Sequence, residues 1–313
     1  MTPVAPLVAL RATTWDAALE ETLSSTAHAR ALGDLSVHSV HSRVVNIRCG
    51  DELIALADDR LDDAPWTVRI PTDGWSVLRP RVGDRVETGH GCLVVHAAGV
   101  AVRILLDPDD RRNAVAADGE PAITALRDAR AALSGFTSPS RATAFGRASA
   151  QALDTGVERM RVAAAARVRG DGADESIIEA ARRLIGLGEG LTPSGDDILT
   201  GLAFVAAHPG FGLTPLLAPL SYAARAGAQA TTLLSVVTLR AALAGRARRR
   251  MHDLVESVIL GSTDRTISAA VEIAAIGHTS GLDLLTGIRL GIDLAEISYA
   301  CARTSIETPE GES

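Results

Sequence analysis

Aromatic residues are nearly missing from this chain: four Phe, three Trp and two Tyr are spread over 313 positions. Its core therefore has to be assembled from Ala, Val, Leu and Ile, which favours closely packed helices over at least part of the length. Cysteine is equally sparse. Cys49, Cys92 and Cys301 stand far apart and form no CxxC pair, which argues against a disulfide framework and a zinc knuckle and leaves them as reduced, mostly buried thiols. Positive charge is not in excess. With 31 basic and 38 acidic residues the formal net charge is -7, so nucleic acid and anionic membrane surfaces are repelled at long range. No apolar run approaches the roughly 18 residues that span a bilayer. The opening MTPVAPLVALRATTW carries two prolines and no basic start, a poor secretory signal. A cytoplasmic location is expected.

What is present changes character along the chain. Residues 14–32 have helix-favouring composition, with Trp15, Ala18, Leu19 and Leu23 able to share one face. From Val37 to about Asp107 short runs rich in Val and Ile alternate with turn-forming pairs such as Asp73-Gly74 and Gly83-Asp84. SVHSRVVNIRC, ELIALAD, TVRIP, CLVVHAAG and VAVRILLD read as strands of a small antiparallel sheet or barrel. Beyond Pro108 the strand signal stops. Ala-rich stretches with helical periodicity follow at 127–133, 141–153, 177–185, 198–207, 216–244, 251–260 and 282–303. The expected fold class is α+β: a mainly antiparallel β domain with a leading helix over 1–112, a mainly α-helical domain over 113–303, and a disordered tail over 304–313.

One segment of the helical half stands out. Gly186–Asp197 reads GLGEGLTPSGDD, and its second half recurs imperfectly: Ser194-Gly-Asp-Asp-Ile-Leu-Thr-Gly-Leu202 returns as Ser280-Gly-Leu-Asp-Leu-Leu-Thr-Gly-Ile288. The offset is 86 residues (280 − 194), as duplicated helical hairpins or two similar helix starts would give. Much of the pattern fits helix capping. Ser194 with Asp197, and Ser280 with Asp283, match S-x-x-D before an apolar run. Capping leaves over the alternating Gly186, Gly188 and Gly190, the Thr192-Pro193 pair and the extra Asp196. Glycines ahead of a helix let backbone approach a ligand, and first-turn N–H groups around Gly188–Gly195 offer an anion site. Two adjacent carboxylates oppose a bare phosphate site. The conflict is resolved if Asp196 is a general base or a Mg²⁺ ligand while Asp197 serves as a cap.

Further candidate groups are Thr231, Thr232 and Ser235, with Thr231 and Ser235 at i, i+4 on an expected helix. Back-bonding to helix carbonyls is their structural alternative. Thr279 precedes the second motif, with His278 beside it. Arg246, Arg248, Arg249 and Arg250 read as a solvated helix end. The histidines are scattered, and HExxH, GxSxG, the Walker A sequence and the dinucleotide fingerprint are all missing.

GLGEGLTPSGDDILTGL, TTLLSVVTLRAALAG and GHTSGLDLLTGI together resemble the family that includes the AllH-type subunit of bacterial oxamate carbamoyltransferase, and HSRVVNI and GDRV extend the resemblance over most of the chain. Glu189 departs from it, standing where the family's usual GPGLTPSGDD has proline. The resemblance implies a subunit of a multi-subunit enzyme of allantoin and purine nitrogen recovery, acting on carbamoyl phosphate, oxamate and oxalurate beside FdrA-type and AllG-type subunits. The substrate is then a small anion. The Ser-Thr-Arg-Thr motif of the aspartate and ornithine carbamoyltransferases is missing, so their phosphate-binding mechanism does not transfer. Asp196 would be the catalytic base or Mg²⁺ ligand. Gly188, Gly190, Thr192, Ser194, Gly195, Asp197, Thr231, Thr232, Ser235, Thr279, Ser280 and Asp283 would line the substrate site. A non-catalytic assembly or regulatory subunit, and a free-standing Mg²⁺-dependent small-molecule enzyme, are the alternatives.

Overall fold

A computed structural model of the chain describes residues 6–20, 35–89, 91–97, 99–113, 118–138 and 144–307. The architecture is α+β, with a strand-rich sheet in the first part and helices after it. Two compact units divide the chain, Met1–Ala114 and Val115–Ser313.

The first unit contains β1 (Leu7–Arg11), β2 (Thr14–Asp16), β3 (Leu35–Val40), β4 (Val44–Cys49), β5 (Glu52–Asp58), β6 (Thr67–Ile70), β7 (Arg85–Gly89), β8 (Cys92–Ala97), β9 (Val100–Leu105) and β10 (Arg111–Arg112). Among the described residues they form one ten-stranded sheet in the order β1-β9-β8-β7-β3-β4-β5-β6-β2-β10. Four hairpins together with β2/β6 and β3/β7 are antiparallel, while β1/β9, β5/β6 and β2/β10 are parallel. Alternation along the strands buries Val37, Val45, Ile47, Ile54, Leu56, Val68, Ile70, Leu93, Val95, Val102 and Ile104 in one core. Asp58 is buried with them. The Arg60 guanidinium and the Thr72 hydroxyl bind its carboxylate and hold it well below the usual carboxylate range.

Two strand-level expectations are corrected. SVHSRVVNIRC is not one strand: β3 ends at Val40 and β4 begins at Val44, because the His41 N–H closes a tight turn on the Val44 carbonyl at 2.8 Å. The expected leading helix does not start at Thr14: Thr14–Asp16 form β2, and helix begins at Leu19. Trp15 sits in the sheet, its indole N–H bonded to the Asp107 carbonyl, and Asp16 turns the chain by accepting the Ala18 N–H. Leu23 and the rest of that expected helix, residues 21–34, lie outside the described residues.

The second unit is helical: α1 (Ile123–Leu133), α2 (Ala144–Arg169), α3 (Asp174–Leu184), α4 (Ser194–Ala206), α5 (Leu217–Ala226), α6 (Leu233–Leu243), α7 (Arg249–Ile259), α8 (Thr263–Ala274) and α9 (Ser280–Glu307). The helical stretch over 216–244 is subdivided into two helices. Gly227 ends α5, Thr231 is extended, and the Thr232 hydroxyl caps α6 by accepting the Ser235 N–H. α9 continues to Glu307, into the segment expected as a tail; 308–313 lie outside the described residues. His208 and His252, far apart in sequence, meet in the core with ring centroids 6.3 Å apart around Phe204. Burial lowers both imidazole pKa values, that of His252 to about 4.

Every residue of α4 is buried, and its main partner is α9. The two helices touch backbone to backbone. A Cβ on Gly201 would lie 2.2 Å from the Leu284 carbonyl oxygen, and one on Gly287 would lie 2.0 Å from the Ile198 carbonyl oxygen. These contacts are reciprocal under the 86-residue offset, since 198 corresponds to 284 and 201 to 287. The next layer repeats the device. A Cβ on Gly195 or Gly281 would meet the carbonyl of Leu184 or Ile273, near the end of the preceding helix, at 2.0 Å in both cases. The repeat is therefore a duplicated helical hairpin, α3–α4 and α8–α9, with its second helices packed against each other in pseudo-twofold fashion.

The glycines hold their places against helix propensity, which favours alanine by about 1 kcal/mol. Gly201→Ala and Gly287→Ala should each nevertheless lower unfolding free energy by about 1–3 kcal/mol, because backbone rather than a flexible side chain must move. Urea denaturation checks this; unchanged or raised stability would contradict the close approach.

Candidate functional site

At the amino-terminal ends of α4 and α9 lie most of the buried polar groups of the helical unit. Ser194, Asp196, Asp197, Thr200, Ser235 and Asp283 are all buried, while Thr192, Thr231, Thr232, Thr279 and Ser280 are half-buried around them. The capping expectation is corrected here. Pro193 holds the N-cap position of α4 and no side chain caps it, so Ser194 lies inside the first turn. In α9 the Asp283 N–H bonds to the Thr279 carbonyl, and Ser280 is likewise within the helix.

Asp196 and Asp197 point to different partners, as successive helical residues about 100° apart must. Asp196 organises the loop. One carboxylate oxygen accepts the Gly186 N–H at 3.0 Å and the other accepts the Thr231 hydroxyl, with the Ser235 hydroxyl also directed at it. Burial raises its pKa and these three donors work against the rise. The Thr232 hydroxyl donates to the Leu191 carbonyl at 2.8 Å. The start of α6 is thus tied to both ends of the glycine loop. Thr231 and Ser235 do not back-bond as helical hydroxyls do; Thr238 does, to the Leu234 carbonyl.

The loop geometry requires glycine at three points, at Gly190 by its φ of 101° alone and at the other two by close contact as well. Gly186 has φ 73° and a Cβ there would lie 2.1 Å from the Ala230 carbonyl; Gly188 has φ 123° and its Cβ would strike the Ser194 nitrogen at 2.6 Å. One amide of the expected anion cradle is in use, that of Gly195 on the Leu187 carbonyl at 2.8 Å, and the Gly186 amide just ahead of the cradle is spent on Asp196. Gly190 and Glu189 are exposed, so the charge of Glu189 faces solvent.

Asp197 belongs to a second cluster, shared with the other hairpin. The Thr192 and Ser280 hydroxyls lie 2.8 Å apart and both face its carboxylate, and Asp283 is close enough to repel it. Burial, with that repulsion, pushes the Asp197 pKa up to about 7. Asp283 accepts the Ser138 hydroxyl on Oδ1 at 3.1 Å. Asp197 Oδ2 and Asp283 Oδ2 are buried without a hydrogen-bond partner. Ser138, in the segment after α1, carried no sequence signal, being 145 residues from Asp283.

The structure therefore joins Asp196 with Thr231 and Ser235, and Asp197 with Thr192, Ser280 and Asp283. His278 is exposed at the rim. Arg249 and Arg250 are bound to Asp253 and Glu272 respectively. Among the described residues no group of three or more His, Cys, Asp or Glu is placed to hold a metal ion, and no helix is long and apolar enough to cross a membrane.

Two family models match the chain, one within each unit. Residues 184–292 match the model described as oxamate carbamoyltransferase subunit AllH, and residues 11–108 match the AllH family N-terminal domain. The chain belongs to the AllH family. No solved structure matches it. The first AllH match starts at the last residue of α3 and ends within α9, so it encloses the glycine loop, both motif copies and Thr231–Ser235.

Thr231→Val tests the Asp196 anchor. It leaves a buried carboxylate oxygen short of a donor and should cost about 1–3 kcal/mol of stability in urea denaturation. Thr238→Val, which removes only a back-bond, should stay within about 0.5 kcal/mol of wild type. Equal effects would show that Asp196 does not depend on Thr231.

Proposed function

We propose that this AllH-family chain is a subunit of an oxamate carbamoyltransferase-like assembly, in which the two helix N-termini and the glycine loop bind the small anionic substrates. One observation carries the reading. The family model whose description names the transferase spans the residues that converge in the polar cluster, from Leu184 to Ile292. The substrates would be carbamoyl phosphate, oxamate and oxalurate, serving nitrogen recovery from allantoin in the cytoplasm, with FdrA-type and AllG-type subunits as partners.

In this reaction the amide nitrogen of oxamate gives up a proton and bonds to the carbamoyl carbon, while the carbon–oxygen bond to phosphate breaks and phosphate departs. Such a step needs oriented donors for the phosphate and the carboxylate of oxamate. The half-buried Thr279 hydroxyl supplies a donor at the rim and the amides of Gly188 and Gly190 supply them from the loop; Thr192 and Ser280 share one hydrogen bond beside Asp197, which leaves one proton of the pair for that carboxylate or for the anion. Asp196, first considered as the base, is occupied on both oxygens by Gly186 and Thr231. We assign it as a positioning residue that sets the loop, and we assign this subunit the binding and orientation of anions.

The test is reconstitution with FdrA-type and AllG-type subunits, followed by kinetics of carbamoyl transfer. Thr192→Val and Ser280→Ala should raise KM for carbamoyl phosphate about tenfold, the loss of a hydrogen bond to a charged ligand, while kcat and assembly change little. Asp196→Asn should lower turnover without dissolving the complex. Failure to assemble would overturn the subunit reading, and unchanged KM in both hydroxyl variants would overturn the placement of the site.

A further inference from the structure

The polar cluster carries a charge problem of its own. Asp197 and Asp283 are each only 4% exposed, each keeps an Oδ2 with no hydrogen-bond partner, and the charged groups acting on Asp197 are Asp283 and Asp196, both acidic. Among the described residues neither Asp197 nor Asp283 has an ion pair, and the chain contains no lysine. Removing two carboxylates from water without a counter-charge is costly, and an anionic substrate above them makes it costlier.

The donor set identifies the counter-charge. It consists of hard oxygens: two carboxylates from equivalent positions of the duplicated hairpins, with the Thr192 and Ser280 hydroxyls beside Asp197. A self-sufficient zinc cage is excluded among the described residues, where no third His, Cys, Asp or Glu joins the pair. Mg²⁺ has the opposite habit. It takes one or two carboxylates and fills its octahedron with water and substrate phosphate oxygens.

We propose that Asp197 and Asp283 hold one divalent cation of the Mg²⁺ class through their free Oδ2 atoms, between the amino-terminal ends of α4 and α9. The cation neutralises the pair and presents open positions to a phosphate oxygen of the substrate. The first statement stands on the cluster alone; the second rests on the function proposed above. The Mg²⁺ site thus lies on Asp197, with Asp283 supplied by the second copy of the motif, rather than on Asp196.

Titration of the full-length chain with Mn²⁺, followed by electron paramagnetic resonance in the absence of substrate and partner subunits, tests the site. One Mn²⁺ should bind per chain and be displaced by Mg²⁺. Asp197→Asn and Asp283→Asn should each weaken binding about tenfold or more. Asp293→Asn should leave it unchanged, because that carboxylate lies on the same helix among Arg130 and Arg289. Circular dichroism verifies that each variant folds, and Thr192→Val provides a milder change that should weaken binding while preserving both carboxylates. The proposal is overturned if wild type shows no stoichiometric Mn²⁺ site, or if the folded Asp197→Asn protein binds as tightly. Two carboxylates sharing a proton would give the first of these results. Mn²⁺ binding without assembly would leave the cation site standing and remove the transferase reading; assembly without Mn²⁺ binding would do the reverse.

Discussion

The helical unit depends on one contact, the backbone approach of α4 to α9 at Gly201 and Gly287. No side chain fits between Gly201 and the Leu284 carbonyl, or between Gly287 and the Ile198 carbonyl. Because the helices are equivalent copies, closing them at these glycines brings their first turns together. That closure carries Asp197 toward Asp283 and Thr192 toward Ser280. The polar cluster follows from the packing. Residues that would each be minor at an isolated helix start become, in pairs, a buried group of acids and hydroxyls.

The glycine loop is a second layer built on this frame. Its three alternating glycines let the chain double back between α3 and α4, and Asp196 fixes the result by binding Gly186 behind it and Thr231 from the start of α6. The adjacent carboxylates thereby divide their work. Asp196 is spent on holding the loop, whereas Asp197 retains an unpartnered oxygen among hydroxyls and a second acid. The cluster differs from a bare helix-terminus phosphate site, because the Gly195 amide is already bound to the Leu187 carbonyl and the floor is acidic.

The sequence carried much of this in local signals. Alternating Val and Ile with Gly-Asp turns marked β5, β6, β8 and β9, and periodic Ala and Leu marked most of the helices. The 86-residue repeat fitted either duplicated hairpins or two similar helix starts, and the reciprocal glycine contacts decide for the first. Other features were invisible for physical reasons. β2 reads as helix because Trp15 and its neighbours suit either state and long-range pairing with β6 decides it. The break between α5 and α6 hides in a continuous apolar pattern, since Thr231 and Thr232 gain more from Asp196, Leu191 and the capping bond than from helical back-bonds. Which partners Asp196 and Asp197 each face was equally hidden. Adjacent residues of one motif differ only in which face of α4 they occupy, and Ser138 contributes from a segment with no motif at all.

The central claim is that the two copies of the Ser-Gly-x-Asp motif converge on one site, and a cross-link measures it directly. In a Thr192→Cys, Ser280→Cys double variant, the thiols replace hydroxyls that lie 2.8 Å apart, within reach of a disulfide after small side-chain adjustment. Mild oxidation and peptide mapping by mass spectrometry should recover one intramolecular disulfide joining the two motif peptides in nearly all of the folded protein. Two thiols that remain free to alkylation under those conditions would contradict the convergence, and with it the shared site.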